Sequence, residues 1–202
     1  MIYLNSAFIL VPMISCILLS AGESRRFGSP KALAPIGKNT AVEYIQNILL
    51  VSPVDEIIIV LGAHLQEIKP YVFNHKKVRF VYNKDYKLGQ TSSFQAGISC
   101  ISKNSAGIML FPVDYPYISA KSLEEIIRIF KINSPPVLIP VFKGQRGHPP
   151  IFNASIKHDI LNLGVQQGVN TLFTRHTPMT VELNDAGIVK TFNTPEEFKG
   201  LF

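Results

Sequence analysis

The densest run of chemically capable residues is Leu19-Ser20-Ala21-Gly22-Glu23-Ser24-Arg25-Arg26-Phe27-Gly28-Ser29-Pro30-Lys31. Its small residues let backbone N–H groups approach a ligand, while Arg26 and Lys31 bring positive charge to the same place, a combination suited to phosphate. A Gly/Ser turn with solvated charges would account for the same residues. The spacing fits neither the G-x-x-x-x-G-K-[ST] loop nor the G-x-G-x-x-G fingerprint. Farther along, Asp114 stands between Pro112 and Pro116 at the end of an apolar run. At the carboxyl edge of an open α/β sheet it could hold Mg²⁺ together with substrate phosphates, or it could serve a turn or helix cap. His64, His75, His158 and His176 lack metal-ligand spacing, and no G-x-S-x-G elbow is present.

The elements that must position these residues read as alternating strands and helices, the pattern of βα units around a mostly parallel sheet. Strands are predicted at 14–20, 54–61, 78–82, 107–113 and 137–142. Helices are predicted from a capping box at Thr40 and Glu43 to Val51, at 63–73, at 91–102, and from a cap at Ser119 to Lys131. From Lys143 to Asn170 the chain is enriched in Gly, Pro and Asn and reads as binding loops and short helices. The fold class is therefore α/β, a three-layer sandwich with a mostly parallel central sheet.

The chain has 202 residues, 47% of them hydrophobic, enough apolar surface for a packed core and too much for disorder. Twenty Lys and Arg against fourteen Asp and Glu give a net charge of +6. The excess is spread along the chain without a basic tail or an arginine-aromatic stripe, so a small anionic ligand suits it better than nucleic acid. Cys16 and Cys100 have no ligand or C-x-x-C spacing and read as buried reduced thiols of a cytoplasmic protein. The apolar run Ala7 to Leu19 is broken by Pro12, falls short of the roughly 20 residues that span a bilayer, and has no basic residue ahead of it, so no membrane association is expected. An N-terminal extension is drawn at residues 1–13, and an alternative start at Met13 would leave the first dozen residues upstream of the domain.

The loop string resembles L-x-A-G-x-S-x-R-M-G-x-x-K, the opening signature of nucleotidyltransferases with a glycosyltransferase-A-like fold, particularly the MobA-like branch that contains molybdenum cofactor cytidylyltransferases. Leu19, Ala21, Gly22, Ser24, Arg26, Gly28 and Lys31 match, with Phe27 in place of Met. Further matches follow in order: Val60-Leu61-Gly62, Asn83, Gly89-Gln90-Thr91-Ser92-Ser93, Pro112-Val113-Asp114, Arg146-Gly147-His148-Pro149 and Thr194-Pro195-Glu196.

The resemblance implies a single Rossmann-like, nucleotide-diphospho-sugar-transferase-like domain over residues 1–202, with a nucleotide-binding half at 14–115 and an acceptor-binding half at 116–202. Arg26, Lys31 and Asp114 would be catalytic. Leu19, Ser20, Ala21, Gly22, Glu23, Ser24, Lys31, Gly62, Asn83 and Ser92 would bind nucleotide, and Ser93, Arg146, Gly147 and His148 the acceptor. Asp114 and residue 193 would hold Mg²⁺ or Mn²⁺, but Asn193 stands where the family's D-x-D-T-P segment carries an aspartate. A G-D-x-G-A-R element corresponds to Val165-Gln166-Gln167-Gly168-Val169-Asn170, where only the glycine is kept. The implied reaction is CMP transfer from CTP to the phosphate of molybdopterin or molybdenum cofactor, releasing pyrophosphate, with a molybdoenzyme as downstream recipient. Ala21 favours the cytidine branch over the guanylyl pattern L-A-G-G. The alternatives are another nucleotide or phosphorylated acceptor on the same fold, and a non-catalytic cofactor-delivery protein.

Overall fold

In the computed structural model, which describes residues 12–164 and 166–200, β1 (Met13–Ser20) is buried along nearly its whole length. Its side chains divide between two cores: Ile14, Cys16 and Leu18 enter one, Ile17 and Leu19 the other. A parallel strand covered on both faces requires this unbroken apolar run. Beyond β1, the hairpin strands β2 (Pro35–Ile36) and β3 (Asn39–Thr40) lead into α1 (Ala41–Val51). The predicted capping box forms, with the Glu43 N–H donating to Thr40 Oγ1 and the Thr40 N–H to Glu43 Oε2. Then come β4 (Glu56–Leu61), α2 (Leu65–Ile68), β5 (Val78–Tyr82), α3 (Gln90–Ile98) and β6 (Ser105–Pro112).

Next are α4 (Ala120–Asn133), β7 (Val137–Phe142), β8 (Gln145–Arg146), β9 (Ile151–Asn153), α5 (Lys157–Leu161), β10 (Met179–Glu182) and α6 (Pro195–Lys199). The main sheet runs β10-β7-β9-β6-β1-β4-β5, with β8 paired to β7. All neighbours are parallel except β9, which is antiparallel to both β6 and β7, and β8. Apolar residues of α1 and α4 pack on one face of the sheet and those of α3 and α5 on the other. This is the expected α/β sandwich.

Several predicted elements are shorter. The 63–73 helix reduces to α2 and a 3₁₀ turn, Lys69–Tyr71, because Pro70 has no N–H to continue the ladder. The 91–102 helix ends at Ile98, where the Ser99 hydroxyl turns back to the Gln95 carbonyl at 2.9 Å. Residues 143–170 hold β8 and β9 as well as loops. Cys16 is buried and its thiol pKa is pushed far up by that burial, but Cys100 is only half-buried; both are free thiols. No helix among the described residues is long and apolar enough to cross a membrane. The N-terminal extension as far as Val11 and the Val165 position lie outside the described residues.

Candidate active site

The parallel strands β1, β4 and β6 end together, and the segments that leave them converge. The Ala63 N–H donates to the Ala21 carbonyl at 3.1 Å, and the Val113 N–H to the Leu19 carbonyl at 3.1 Å. Gly62 is required at this junction: a Cβ there would lie 2.4 Å from the Ala21 carbonyl oxygen and 2.7 Å from the Tyr86 Cβ. The loop after β1 is tightened by Ser24, whose carbonyl accepts from the Phe27 and Gly28 N–H groups and whose hydroxyl accepts from the Lys31 N–H at 3.1 Å. Ser24 has a left-handed φ of 53° and Gly28 one of 79°. Among the described residues, the N–H groups of Gly22, Glu23 and Ser24 find no acceptor, leaving them available to an anion.

The C-terminal segment is fastened to this loop by aromatic packing. Phe27, Phe192 and Phe198 form a buried triangle with ring centroids 5.2, 5.8 and 4.8 Å apart. Asn193, next to Phe192, is thereby brought against Arg26 and Lys31. Lys31 Nζ donates to Asp114 Oδ2 at 2.8 Å and to Asn193 Oδ1 at 3.0 Å, and Arg26 Nη2 donates to the same amide oxygen at 3.1 Å. The side chains of Lys31 and Asp114 are mostly buried, at 14% and 21% exposure, so this ion pair is screened less than a surface pair.

A cavity of about 580 Å³ opens above these residues. Of the predicted site residues, Leu19, Ser20, Ala21, Gly22, Ser24, Arg26, Lys31, Ser93, Asp114 and Asn193 line it; Glu23, Gly62, Asn83, Ser92, Arg146, Gly147 and His148 do not. Glu23 pairs with Arg25 at 2.7 Å. Asn83 is buried and fully engaged, its Nδ2 donating to Ser92 Oγ and Ser93 Oγ at 3.1 Å each and its Oδ1 accepting from the Asp85 N–H. Ser92 donates to the Asp85 and Gly89 carbonyls, and neither it nor Ser93 caps α3, whose N-cap is Gly89.

Arg146 lies over the Phe173 ring at 5.6 Å, and Gly147 packs against Ile188, with a notional Cβ 2.6 Å from the Ile188 carbonyl oxygen. The His148 ring lies 4.4 Å from that of Tyr115, one residue beyond Asp114. Burial pushes the His148 imidazole pKa down, against the Asp114 charge and the Leu110 carbonyl.

Two oxygens on different segments thus converge on one ammonium, and one carboxylate with one amide is a hard donor set that fits Mg²⁺ or Mn²⁺ with phosphate and water completing the shell. Among the described residues there is no cluster of three or more His, Cys, Asp or Glu. Asp185 does not substitute for the missing carboxylate, because it accepts from the Ser119 N–H, the Ser122 hydroxyl and the Gly187 N–H and so holds the start of α4. Sequence reasoning missed Phe192 and Phe198 as supports; their position beside the Asn193 segment was the available signal. It also missed Ile68, Tyr86 and Gln90 in the cavity wall.

Residues 16–180 match the family described as the MobA-like NTP transferase domain. Nicotine blue oxidoreductase of Paenarthrobacter nicotinovorans is 31% identical over 188 residues, covering 87% of this chain and 88% of that protein. Molybdenum cofactor cytidylyltransferase of Escherichia coli strain K12 is 23% identical over 186 residues, 92% and 93% of the two chains. Among solved structures, Rv0371c of Mycobacterium tuberculosis H37Rv has a TM-score of 0.83 at 20% identity, covering 95% of this chain and 98% of its own. Its manganese complex has a TM-score of 0.77 at 20% identity, with 94% and 97% covered.

Proposed function

Because the chain belongs to the MobA-like NTP transferase family, we propose that it transfers CMP from CTP to the terminal phosphate of a pterin cofactor such as molybdopterin, releasing pyrophosphate. The observation that carries this reading is the convergence of Arg26, Lys31, Asp114 and Asn193 beside the open loop at the carboxyl edge of the sheet. In-line attack on the α-phosphorus needs positioning and charge neutralisation rather than a protein nucleophile. The Gly22–Ser24 amides would bind phosphate oxygens, with Arg26 and Lys31 neutralising the charge that passes to the leaving pyrophosphate. Asp114 and Asn193 would hold Mg²⁺ or Mn²⁺, whose chemistry when bound is to offset triphosphate charge. Asn83, bonded to Ser92 and Ser93, would orient the substrates, with Ser92 toward the nucleotide and Ser93 toward the acceptor, and the half beyond residue 116, with Arg146 to His148, would face the acceptor, whose product would pass to a molybdoenzyme.

The test is pyrophosphate release from CTP in the presence of molybdopterin and either metal. Release that depends on all three components is expected; none with any nucleoside triphosphate would overturn the reading. A second reading is favoured by the oxidoreductase relative, whose identity exceeds that of the cytidylyltransferase. On it, the chain would be an oxidoreductase acting on nicotine blue or a related dye. A change in the redox state of nicotine blue catalysed by the protein, without pyrophosphate release from any nucleoside triphosphate, would select it.

A further inference from the structure

Two carbonyls of the loop after β1 point back to the segment that follows β4. The Ala21 carbonyl accepts from the Ala63 N–H at 3.1 Å, and the Glu23 carbonyl accepts from His64 Nε2 at 3.2 Å. Both peptides are trans, so each carbonyl and the N–H of the next residue point in opposite directions. The Gly22 and Ser24 N–H groups are therefore turned away from residues 63 and 64, and Gly22 and Ser24 both line the cavity whereas Glu23 and His64 do not. One of these amides is aimed by a backbone bond. The other is aimed by an imidazole.

Among the described residues, His64 is the one hydrogen-bond donor to the Glu23 carbonyl. The left-handed φ of 53° at Ser24 is one that a serine keeps only where its surroundings fix it. Beyond Ser24 that is done by the N–H groups of Phe27, Gly28 and Lys31; ahead of it, by His64. His64 stands at the start of α2 but its ring does not cap the helix. Instead Nδ1 meets Glu67 Oε1 at 2.8 Å while Nε2 meets the Glu23 carbonyl. A carboxylate and a carbonyl only accept, so both bonds form together only when both ring nitrogens carry a proton, and the ring is then an imidazolium. The ionisable groups that face it are Glu67 on α2 and Glu23 on the loop, whose own carboxylate is paired with Arg25 at 2.7 Å. Burial lowers the imidazole pKa, but the bonds and charges supplied by Glu67 and Glu23 outweigh it and hold the pKa above its ordinary value.

Resting on the nucleotidyltransferase reading, which makes this loop the phosphate cradle, we propose that His64 is a positioning residue for it: as an imidazolium it holds the Glu23 carbonyl so that the Ser24 N–H meets a phosphate oxygen, and affinity for polyphosphate follows its protonation. As pH rises, one of the two ring N–H groups is lost. The charged Glu67 carboxylate is the stronger acceptor and keeps the Nδ1 proton, so Nε2 turns a lone pair on the Glu23 carbonyl and the Ser24 amide is no longer held. By reciprocity, bound polyphosphate makes His64 harder to deprotonate.

The experiment uses the full-length protein with metal-free inorganic triphosphate as the probe. The His64 ring is titrated by NMR from about pH 5.5 to 9, with and without triphosphate, its signal identified by its loss in His64→Gln; the midpoint is expected above the ordinary value of about 6.5 and higher still with triphosphate. Calorimetry then compares the unsubstituted protein with His64→Ala and His64→Gln at each pH, as ratios of affinity, which cancel the titration of the probe itself. Below the midpoint His64→Ala is expected to bind about two- to tenfold more weakly, the scale of one hydrogen bond, and above it the deficit disappears. His64→Gln, which keeps an N–H donor without the charge, recovers part of the loss. A midpoint that triphosphate does not move, or an alanine deficit equal at every pH, overturns the assignment while leaving the transfer reading intact. Equal losses in the two variants overturn it in favour of the charge alone. Failure of the unsubstituted protein to bind either CTP or triphosphate at any pH overturns both.

Discussion

Asn193→Asp should convert a weak cation site into a strong one. In the free protein, residue 193 is a neutral oxygen accepting from Lys31 at 3.0 Å and Arg26 at 3.1 Å, and among the described residues Asp114 carries the only negative charge bonded to this pair. A new carboxylate would be held by both cations, so only the change on metal entry counts. If a dication takes the place of the Lys31 ammonium, the carboxylate gains one unit of attractive charge at about 3 Å, worth about 1.4 kcal/mol even at the dielectric of water and more in the partly buried site. That corresponds to at least about tenfold tighter binding. Titration of Mn²⁺ without nucleotide, followed by paramagnetic resonance or calorimetry, measures it directly. Unchanged or weaker affinity would refute the placement of the ion between residues 114 and 193.

Four other outcomes are expected. Asp185→Asn should lower stability by about 1–3 kcal/mol in urea unfolding, since its carboxylate accepts three hydrogen bonds, yet leave Mn²⁺ affinity unaltered. Gly62→Ala should cost a similar ~1–3 kcal/mol and weaken CTP binding in parallel, because its Cβ would press the Ala21 carbonyl at 2.4 Å. Burial depresses the His148 pKa, so protons bind the unfolded chain first and stability falls as pH drops below about 6.5, the ordinary imidazole value, until the folded pKa is passed. His148→Gln should flatten that slope in melts across pH 5–8, against the unsubstituted protein as control. Chelation should abolish pyrophosphate release but leave inorganic triphosphate binding measurable by calorimetry.

The parts of the fold readable from sequence were those whose cause is local. The apolar runs of β1, β4 and β6 are long because both faces are covered, and the Thr40–Glu43 box is a three-residue signal that forms as expected. β9 could not be read, since three residues, Ile151 to Asn153, carry no periodicity, and its place between β6 and β7 depends on long-range pairing. The loop after β1 and Asp114 were legible through residue type and position at a strand end. The fastening of Asn193 was not: it depends on Phe27, Phe192 and Phe198 meeting across more than 160 residues of sequence. Nor could spacing show that Asn83 serves the two serines.

The amide at 193 bears on how binding and turnover separate. With an aspartate there, Lys31 would lie between two carboxylates; with Asn193 it faces one, and Arg26 shares the neutral oxygen. The chain therefore supplies two positive charges against one negative beside the open amides of the loop, which favours a polyphosphate without any added ion. A dication, by contrast, must enter where the Lys31 ammonium already satisfies the Asp114 carboxylate, and an incoming triphosphate would relieve that conflict by drawing Lys31 onto its own oxygens. Nucleotide first and metal with it is then the favoured order.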